Sequence, residues 1–176
     1  MQLKVKLEGF EDIRKTLDKD LLKKVTGRTI KRTVNKFKTV TTREVRKTYN
    51  VKAKDLKKHI KLKRTSNFEY LFTAESERFG LEKFGARQTK QGVSVRIRKD
   101  RGRKVIKGAF LAKDIKGNIR IFKRRYKERL PLDRFYSISV PQMFNKEIVN
   151  KGFEEAQKTF EKEFKHNLDY YLGKLK

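Results

Sequence analysis

The sequence predicts an α+β fold in which a mostly antiparallel sheet carries two long helices packed on one of its faces. Apolar residues recur at spacings of three and four in two segments, about Leu21–Tyr49 and about Gln142–Leu172, which is typical of amphipathic helices. Shorter segments between them alternate apolar and polar residues, which is typical of strands. We therefore expect strands from residues 1–8 and 60–122 to form the sheet.

The length of 176 residues predicts a single domain, residues 1–176. We distinguish within it an N-terminal basic helical part (10–59), a basic β part (60–125) and the C-terminal helix (142–172). Apolar residues make up only 36% of the chain, but 13 Phe and 6 Tyr supply large apolar areas for a core. No apolar run approaches the roughly 20 residues of a membrane span, so we expect a soluble protein with no membrane-spanning segment, made in a cytoplasm.

The net charge of +28 is concentrated in two blocks of the chain. Residues 21–66 hold 17 basic and 2 acidic side chains, and residues 81–130 hold 18 and 4, whereas both ends are nearly balanced. Because solubility alone does not need this asymmetry, the charge predicts a polyanionic partner: nucleic acid, a membrane surface or a strongly acidic protein.

The first long helix combines an apolar stripe with a cationic face. The stripe comprises Leu22, Val25, Ile30, Val34, Phe37, Val45 and Tyr49. The other face repeats a basic residue every four positions, at Lys24, Arg28, Arg32 and Lys36. Like charges at this spacing repel by roughly 0.2–0.5 kcal/mol per pair. We therefore predict that Arg28, Arg32 and Lys36 face an anionic partner; the alternative is a solvated helix face.

The segment Phe84–Phe110 predicts a hairpin with one apolar and one cationic face. Its first strand alternates Val93, Val95 and Ile97 with polar or basic residues, and a basic loop, 99–104, turns the chain. The candidate binding residues of this hairpin and of the arm that follows are Arg96, Arg98, Lys99, Arg101, Arg103, Lys104, Lys107, Arg120, Arg124 and Arg125. We expect them to contact DNA or an acidic neighbouring subunit. The alternative is a solvated hairpin edge whose lysines only discourage edge-to-edge pairing.

The remaining segments complete the predicted order of elements. Short helices are expected at 10–17 and within 50–59, and strands at 60–64, 68–74, 109–112 and from 119. The aromatic face of strand 68–74 is expected to point into the core, because its neighbours are acidic; the alternative is a surface that stacks nucleic-acid bases. Pro131 and Pro141 bracket a predicted loop, Leu132–Val140, and Pro141 suits the first turn of a helix. The last helix is expected to be structural, because its charges are balanced and its apolar stripe includes Phe153.

Residue types that serve catalysis or metal binding are sparse. Histidine is the side chain whose ordinary pKa lies near neutrality, and the two histidines, His59 and His166, do not have the spacing of a zinc site. The sequence has no cysteine, no P-loop and no dinucleotide-binding motif. Glu75 and Glu77 could bind a cation, but no third ligand is evident. We therefore predict no enzyme, no metal and no cofactor; the alternative is a nuclease whose acidic residues are scattered along the sequence.

Three segments carry distinctive motifs: YNVKAKDLKKHIKLKR (49–64), EKFGARQTKQGVSVRIRKDRGRKVIKGAF (82–110) and RLPLDRFYSISVPQMF (129–144). The most specific words within them are FGARQT and SVPQM. In this order, the three segments resemble the prophage minor tail protein Z family of tailed phages. The similarity covers nearly the whole chain, although Thr65–Gly80 matches nothing characteristic.

The resemblance implies a structural virion protein that acts in tail completion at or near the head–tail junction. It implies a small α+β fold like those of neck and tail-completion proteins, which commonly assemble as rings. The expected partners are other head–tail connector and tail proteins, further copies of the chain and the phage DNA end. The protein would be made in the host bacterial cytoplasm and located in the tail or neck of the virion. The alternative is a free phage-encoded nucleic-acid-binding protein.

Overall fold

The structure is a computed structural model that describes residues 1–6, 19–66 and 68–174. Its helices are α1 (Lys19–Thr48), α2 (Ala53–Lys57), α3 (Val140–Met143) and α4 (Lys146–Gly173), with a 3₁₀ helix at Leu81–Lys83. Its strands are β1 (Gln2–Lys6), β2 (Ile60–Ser66), β3 (Glu69–Ala74), β4 (Arg78–Gly80), β5 (Arg87–Thr89), β6 (Gly92–Val95), β7 (Lys104–Lys107), β8 (Ala109–Lys113), β9 (Ile119–Arg124), β10 (Leu132–Arg134) and β11 (Tyr136–Ser139). The α+β class with two long helices is confirmed.

The strands form four antiparallel sheets in the described residues, with the orders β1-β3-β2, β5-β6-β7, β10-β9-β8 and β11-β4. The prediction of mostly antiparallel pairing is confirmed, but the expectation of one sheet is wrong. Most of the strands between residues 78 and 139 are only three to five residues long. Turns at glycines with positive φ, such as Gly85 and Gly117, interrupt them. Alternation in the sequence identifies such strands but not their partners.

Two compact units make up the chain. Unit 1 comprises Met1–Arg43, Ile60–Ala74 and Asn145–Lys176, and unit 2 comprises Glu44–His59 and Glu75–Phe144. The single-domain assignment stays a prediction. The predicted short helix at 10–17 lies outside the described residues.

In unit 1, helices α1 and α4 pack against each other in antiparallel orientation. Asn167 Nδ2 donates a buried hydrogen bond of 3.1 Å to Thr29 Oγ1, and Arg32 pairs with Glu163. Gly152 faces Phe37 and Thr41. The first half of α1 therefore contacts the last half of α4, and the second half of α1 contacts the beginning of α4.

Phe37 joins both long helices to the first sheet. Its side chain is 1% exposed. The ring meets Phe72 of β3 edge to face, with 5.2 Å between centroids, and lies 4.9 Å from the ring of Phe153 on α4. Phe72 and Ala74 of β3 are fully buried, so this strand does face the core as predicted.

The apolar stripe predicted for α1 is confirmed, because all seven of its residues are at most 7% exposed. Threonines widen this buried face. The hydroxyls of Thr26, Thr29, Thr41 and Thr42 each donate to the carbonyl four residues earlier, at 2.6–2.8 Å. These side chains therefore enter the interior without leaving their own donors unpaired.

The stripe predicted for the last helix is wrong at Phe153, which is 38% exposed. The buried residues of α4 are Ile148, Val149, Gly152, Ala156 and Asn167. A Cβ atom at Gly152 would overlap the methyl group of Thr41, so this glycine marks a close approach of the two helices. The larger side chain of Phe153 consequently lies at the margin of the contact.

In unit 2, the predicted hairpin is confirmed, with Val95 of β6 opposite Lys104 of β7. The predicted division into an apolar and a cationic face is wrong for β6. Ser94 is 7% exposed, so β6 is buried on both faces, and Arg96 and Arg98 lie beyond its end. The polar strand β5, which pairs with the other side of β6, was not predicted.

The predicted loop Leu132–Val140 instead contains β10 and β11, which pair with β9 and β4. Pro141 does lie in the first turn of a helix, as predicted, and Gln142 Oε1 accepts the Ser139 N–H at 2.9 Å. This helix, α3, ends after one turn. Asn145 then caps α4 by accepting the Ile148 N–H at 2.9 Å, so the predicted last helix is two helices.

Replacing Gly152 by alanine should destabilise the protein by about 1–3 kcal/mol, because the new methyl group overlaps Thr41 and Phe37. The matched control is Gly27→Ala on α1, where a Cβ would meet only Arg64 at an ordinary 3.6 Å. Since alanine restricts the unfolded chain, the control should gain about 0.4–1 kcal/mol. Urea unfolding measures both changes, and equal signs for the two variants would contradict the close helix contact.

The Phe37→Ala variant should lose about 3–5 kcal/mol, the typical cost of removing a buried aromatic side chain. The Phe153→Ala variant should lose only about 1–2 kcal/mol, because this ring keeps much of its surface in water. Thermal and chemical denaturation of the two proteins tests this order. A larger loss at Phe153 would mean that the ring is buried after all.

Candidate anion-binding surfaces

The thirteen predicted binding residues fall on two separate parts of the chain. Arg28, Arg32 and Lys36 lie on α1 in unit 1, and the other ten lie between Arg96 and Arg125 in unit 2. The exposed fraction and the partners of each side chain decide which of them can still bind an anion.

The three α1 residues are all exposed, as predicted. The Arg28 guanidinium carbon lies 5.4 Å from the centre of the Tyr171 ring, and Arg32 is paired with Glu163. Lys36 has no ion pair within the described ranges. The cationic face of this helix is therefore present, but one of its charges is already offset by α4.

Two arginines that precede the basic loop of unit 2 fold back onto the chain. Arg98 binds Asp100 through Nε at 2.9 Å and Nη2 at 2.8 Å and lies 5.6 Å from the centre of the Tyr49 ring. The hydrogen bond from Arg98 lowers the pKa of Asp100 below its usual value, so this carboxylate stays ionised to a lower pH than an unpaired aspartate does. Arg96 donates to the carbonyls of Lys99 and Arg101. The hydrogen bonds of Arg96 and Arg98 therefore hold the loop in its conformation.

Arg103, the last residue before β7, braces the hairpin. Its guanidinium donates to Ser94 Oγ at 2.8 Å, to the Ser94 carbonyl at 2.8 Å and to the Gly85 carbonyl at 2.6 Å. The planar fork of arginine is suited to such multiple contacts, which lysine cannot reproduce. We assign Arg103 to the structure of the hairpin.

Arg120 and Arg125 form ion pairs inside unit 2. Arg120 contacts Glu82 Oε1 at 2.5 Å and Asp114 Oδ2 at 3.1 Å, and the Glu82 side chain is only 8% exposed. The hydrogen bond from the backbone N–H of Asn118 lowers the pKa of Asp114, and the hydrogen bond from the Arg120 side chain lowers it further. Arg125 pairs with Asp133 at 2.5 Å and lowers the pKa of that carboxyl.

Five predicted residues of unit 2 are exposed and make no ion pair in the part of the chain that the structure describes. They are Lys99, Arg101, Lys104, Lys107 and Arg124. We call Lys99, Arg101 and Lys104 the loop cluster, because they lie on or next to the turn that joins β6 to β7. Lys107 lies three residues along β7 from Lys104, so the two side chains point to opposite faces of the strand.

Two lysines that the sequence did not single out lie near the cationic face of α1. Lys158 and Lys162 of α4 line one groove with Arg32 and Lys36. The sequence places both lysines on the last helix, which is predicted to be structural because its charges are balanced overall. Their spacing of four residues, which places both on one face, is the signal that could have identified them.

Two further searches concern the described residues only. No helix among them combines the length and the apolar character needed to cross a lipid bilayer. No group of three or more histidine, aspartate or glutamate side chains is placed there to hold a metal ion.

Comparison with known proteins agrees with the motifs found in the sequence. No curated protein and no solved structure matches the chain. The family model described as prophage minor tail protein Z (GPZ) matches residues 8–175. Since the match spans nearly the whole sequence, the chain belongs to the prophage minor tail protein Z family and is a structural protein of a phage tail.

Proposed function

We propose that this tail protein acts in tail completion at or near the head–tail junction, as a ring of identical copies whose basic surfaces lie against the phage DNA end. The loop cluster is the observation that supports the DNA contact best. Its three cations are exposed and unpaired in the described chain, although carboxylates offset several neighbouring arginines. The function needs no catalytic residue.

The environment of the loop cluster supports a preorganised binding surface. Arg96 bonds to loop carbonyls, Arg98 to Asp100, and Arg103 to the strand beneath. A loop held in this way loses little conformational freedom on binding. In a ring, every copy adds the same three charges, so the positive potential around the central opening grows with the number of copies.

An acidic neighbouring subunit is the alternative partner for the same surface. Charge alone does not separate it from DNA, since both are polyanions. We propose DNA because its backbone carries a phosphate at every nucleotide, and exposed lysines bind phosphates as point charges. Cross-linking in the intact particle distinguishes the two, because it yields a DNA adduct in one case and a peptide pair in the other.

A free nucleic-acid-binding protein is the second candidate function, favoured by the net charge of +28. Mass spectrometry of purified virions separates it from a structural role. A tail component should be present in the finished particles at a fixed copy number, whereas a free factor should be absent from them.

Changing Lys99, Arg101 and Lys104 together to serine should lower the titre of infectious phage without unfolding the protein. Exposed charges contribute little to stability, so the melting temperature should stay near that of the unchanged protein. The matched control changes Lys57, Lys113 and Lys116, which are also exposed and lie in the same unit. The readout is complementation of a phage that lacks the gene.

Arg103 is left unchanged in this experiment because it braces the hairpin. A normal titre for the loop-cluster variant, or an equal loss in the control, would remove the loop cluster from the functional surface.

A further inference from the structure

Helices α1 and α4 border an open, polar groove in unit 1, which we call the interhelical groove. Its volume is about 560 Å³. Its lining consists of Arg32, Asn35, Lys36 and Thr39 from α1 and Lys158, Thr159, Lys162 and Glu163 from α4. Four cations and one carboxylate thus line a surface that has no apolar side chain. Sites for drug-sized organic ligands are mostly apolar, so this groove suits a charged partner.

The charges in the groove are unevenly occupied. Glu163 holds Arg32, while Lys36 and Lys162 make no ion pair within the described residues. Lys158 lies 3.4 Å from Glu155, but its side chain is 74% exposed, and such a surface pair is weak. Three lysine charges are therefore available to an incoming anion.

The threonine hydroxyls of the groove are bonded to their own helices. Thr39 and Thr159 donate their hydroxyl hydrogens to the carbonyls of Asn35 and Glu155 in their own helices, at 2.9 and 2.7 Å.

The spacing of the cations is regular on both walls. Arg32 and Lys36 on α1, like Lys158 and Lys162 on α4, are four residues apart, a rise of about 6 Å along each helix. A pair of cations on each wall, with the same spacing, suits a polymer that carries one charge on every repeat, as a nucleic acid backbone does. A protein surface carries a comparable repeat only where acidic residues recur, for example at every fourth position of a helix.

We infer that the interhelical groove binds the phosphodiester backbone of duplex DNA, with Lys36, Lys158 and Lys162 as phosphate contacts. This inference rests on the proposed proximity of the protein to the DNA end and names a second surface for it. Glu163 limits the affinity of the groove, because it offsets Arg32 and places a negative charge on the wall.

The test measures binding of a fluorescently labelled duplex of mixed sequence to the full-length protein by anisotropy at several salt concentrations. The groove variant is Lys158→Gln with Lys162→Gln. The slope of log K against log salt should become shallower by about 0.9 for each lysine that contacts a phosphate. The control is Lys151→Gln with Lys165→Gln, two exposed lysines of α4 that do not line the groove; its slope should stay that of the unchanged protein.

A second variant, Glu163→Gln, should act in the opposite direction. It removes the negative charge and releases Arg32 for a phosphate, so duplex affinity should rise and the salt slope should steepen. Because glutamine keeps the size of the glutamate side chain, melting curves should show this variant folded like the others. If duplex affinity rises in the Glu163→Gln variant and falls in the groove variant, general damage to the fold cannot explain both changes.

Each outcome decides a separate point. If the unchanged protein shows no salt-dependent duplex binding, the proposed DNA contact fails and the groove inference fails with it. If it binds but the groove and control variants weaken equally, only the groove inference is overturned. Polyglutamate serves as a second probe: groove substitutions that weaken its binding and spare that of the duplex would assign the groove to an acidic protein.

Discussion

Unit 1 depends on the contact at Gly152, where α4 approaches α1 closely. Phe37 of α1 contacts both Phe72 of the first sheet and Phe153 of α4 there. Because glycine has no side chain, the backbones of the two helices can approach each other closely at this position. One consequence is a dense core around Phe37. Another is that polar side chains of the two helices meet farther along the contact, where Arg32 pairs with Glu163 and the buried Asn167 bonds to Thr29. The interhelical groove is the open side of the same packing.

The thirteen candidate cations divide by residue type. Seven of the nine arginines contact a carboxylate, a carbonyl or an aromatic ring of their own unit, whereas the four lysines remain exposed and unpaired in the described chain. The division follows from the chemistry of the side chains. A guanidinium makes several directed hydrogen bonds and tolerates partial burial, while an ammonium group is strongly hydrated. Net charge therefore overstates the surface that is free to bind.

The sequence predicted what depends on local periodicity and missed what depends on tertiary pairing. The buried stripe of α1 and strand β3 follow from repeats of three to four and of two, and both are found. The division into four sheets, the strands β10 and β11, and the burial of Ser94 depend on partners distant in the chain, which no periodicity encodes. For the candidate site, the basic blocks were evident from composition. The bracing role of Arg103 and the proximity of Lys158 to α1 required coordinates.

The threonines on the buried face of α1 have a consequence for redesign of the protein. Thr26, Thr41 and Thr42 return their hydroxyl hydrogens to their own helix, so the carbonyls that accept them already serve the helical ladder. Valine has nearly the same outline and would remove the donor without orphaning an acceptor. Thr29 differs, because its oxygen also accepts from Asn167. A valine-rich α1 can therefore keep its shape at three positions, but at the fourth it would strand a buried amide.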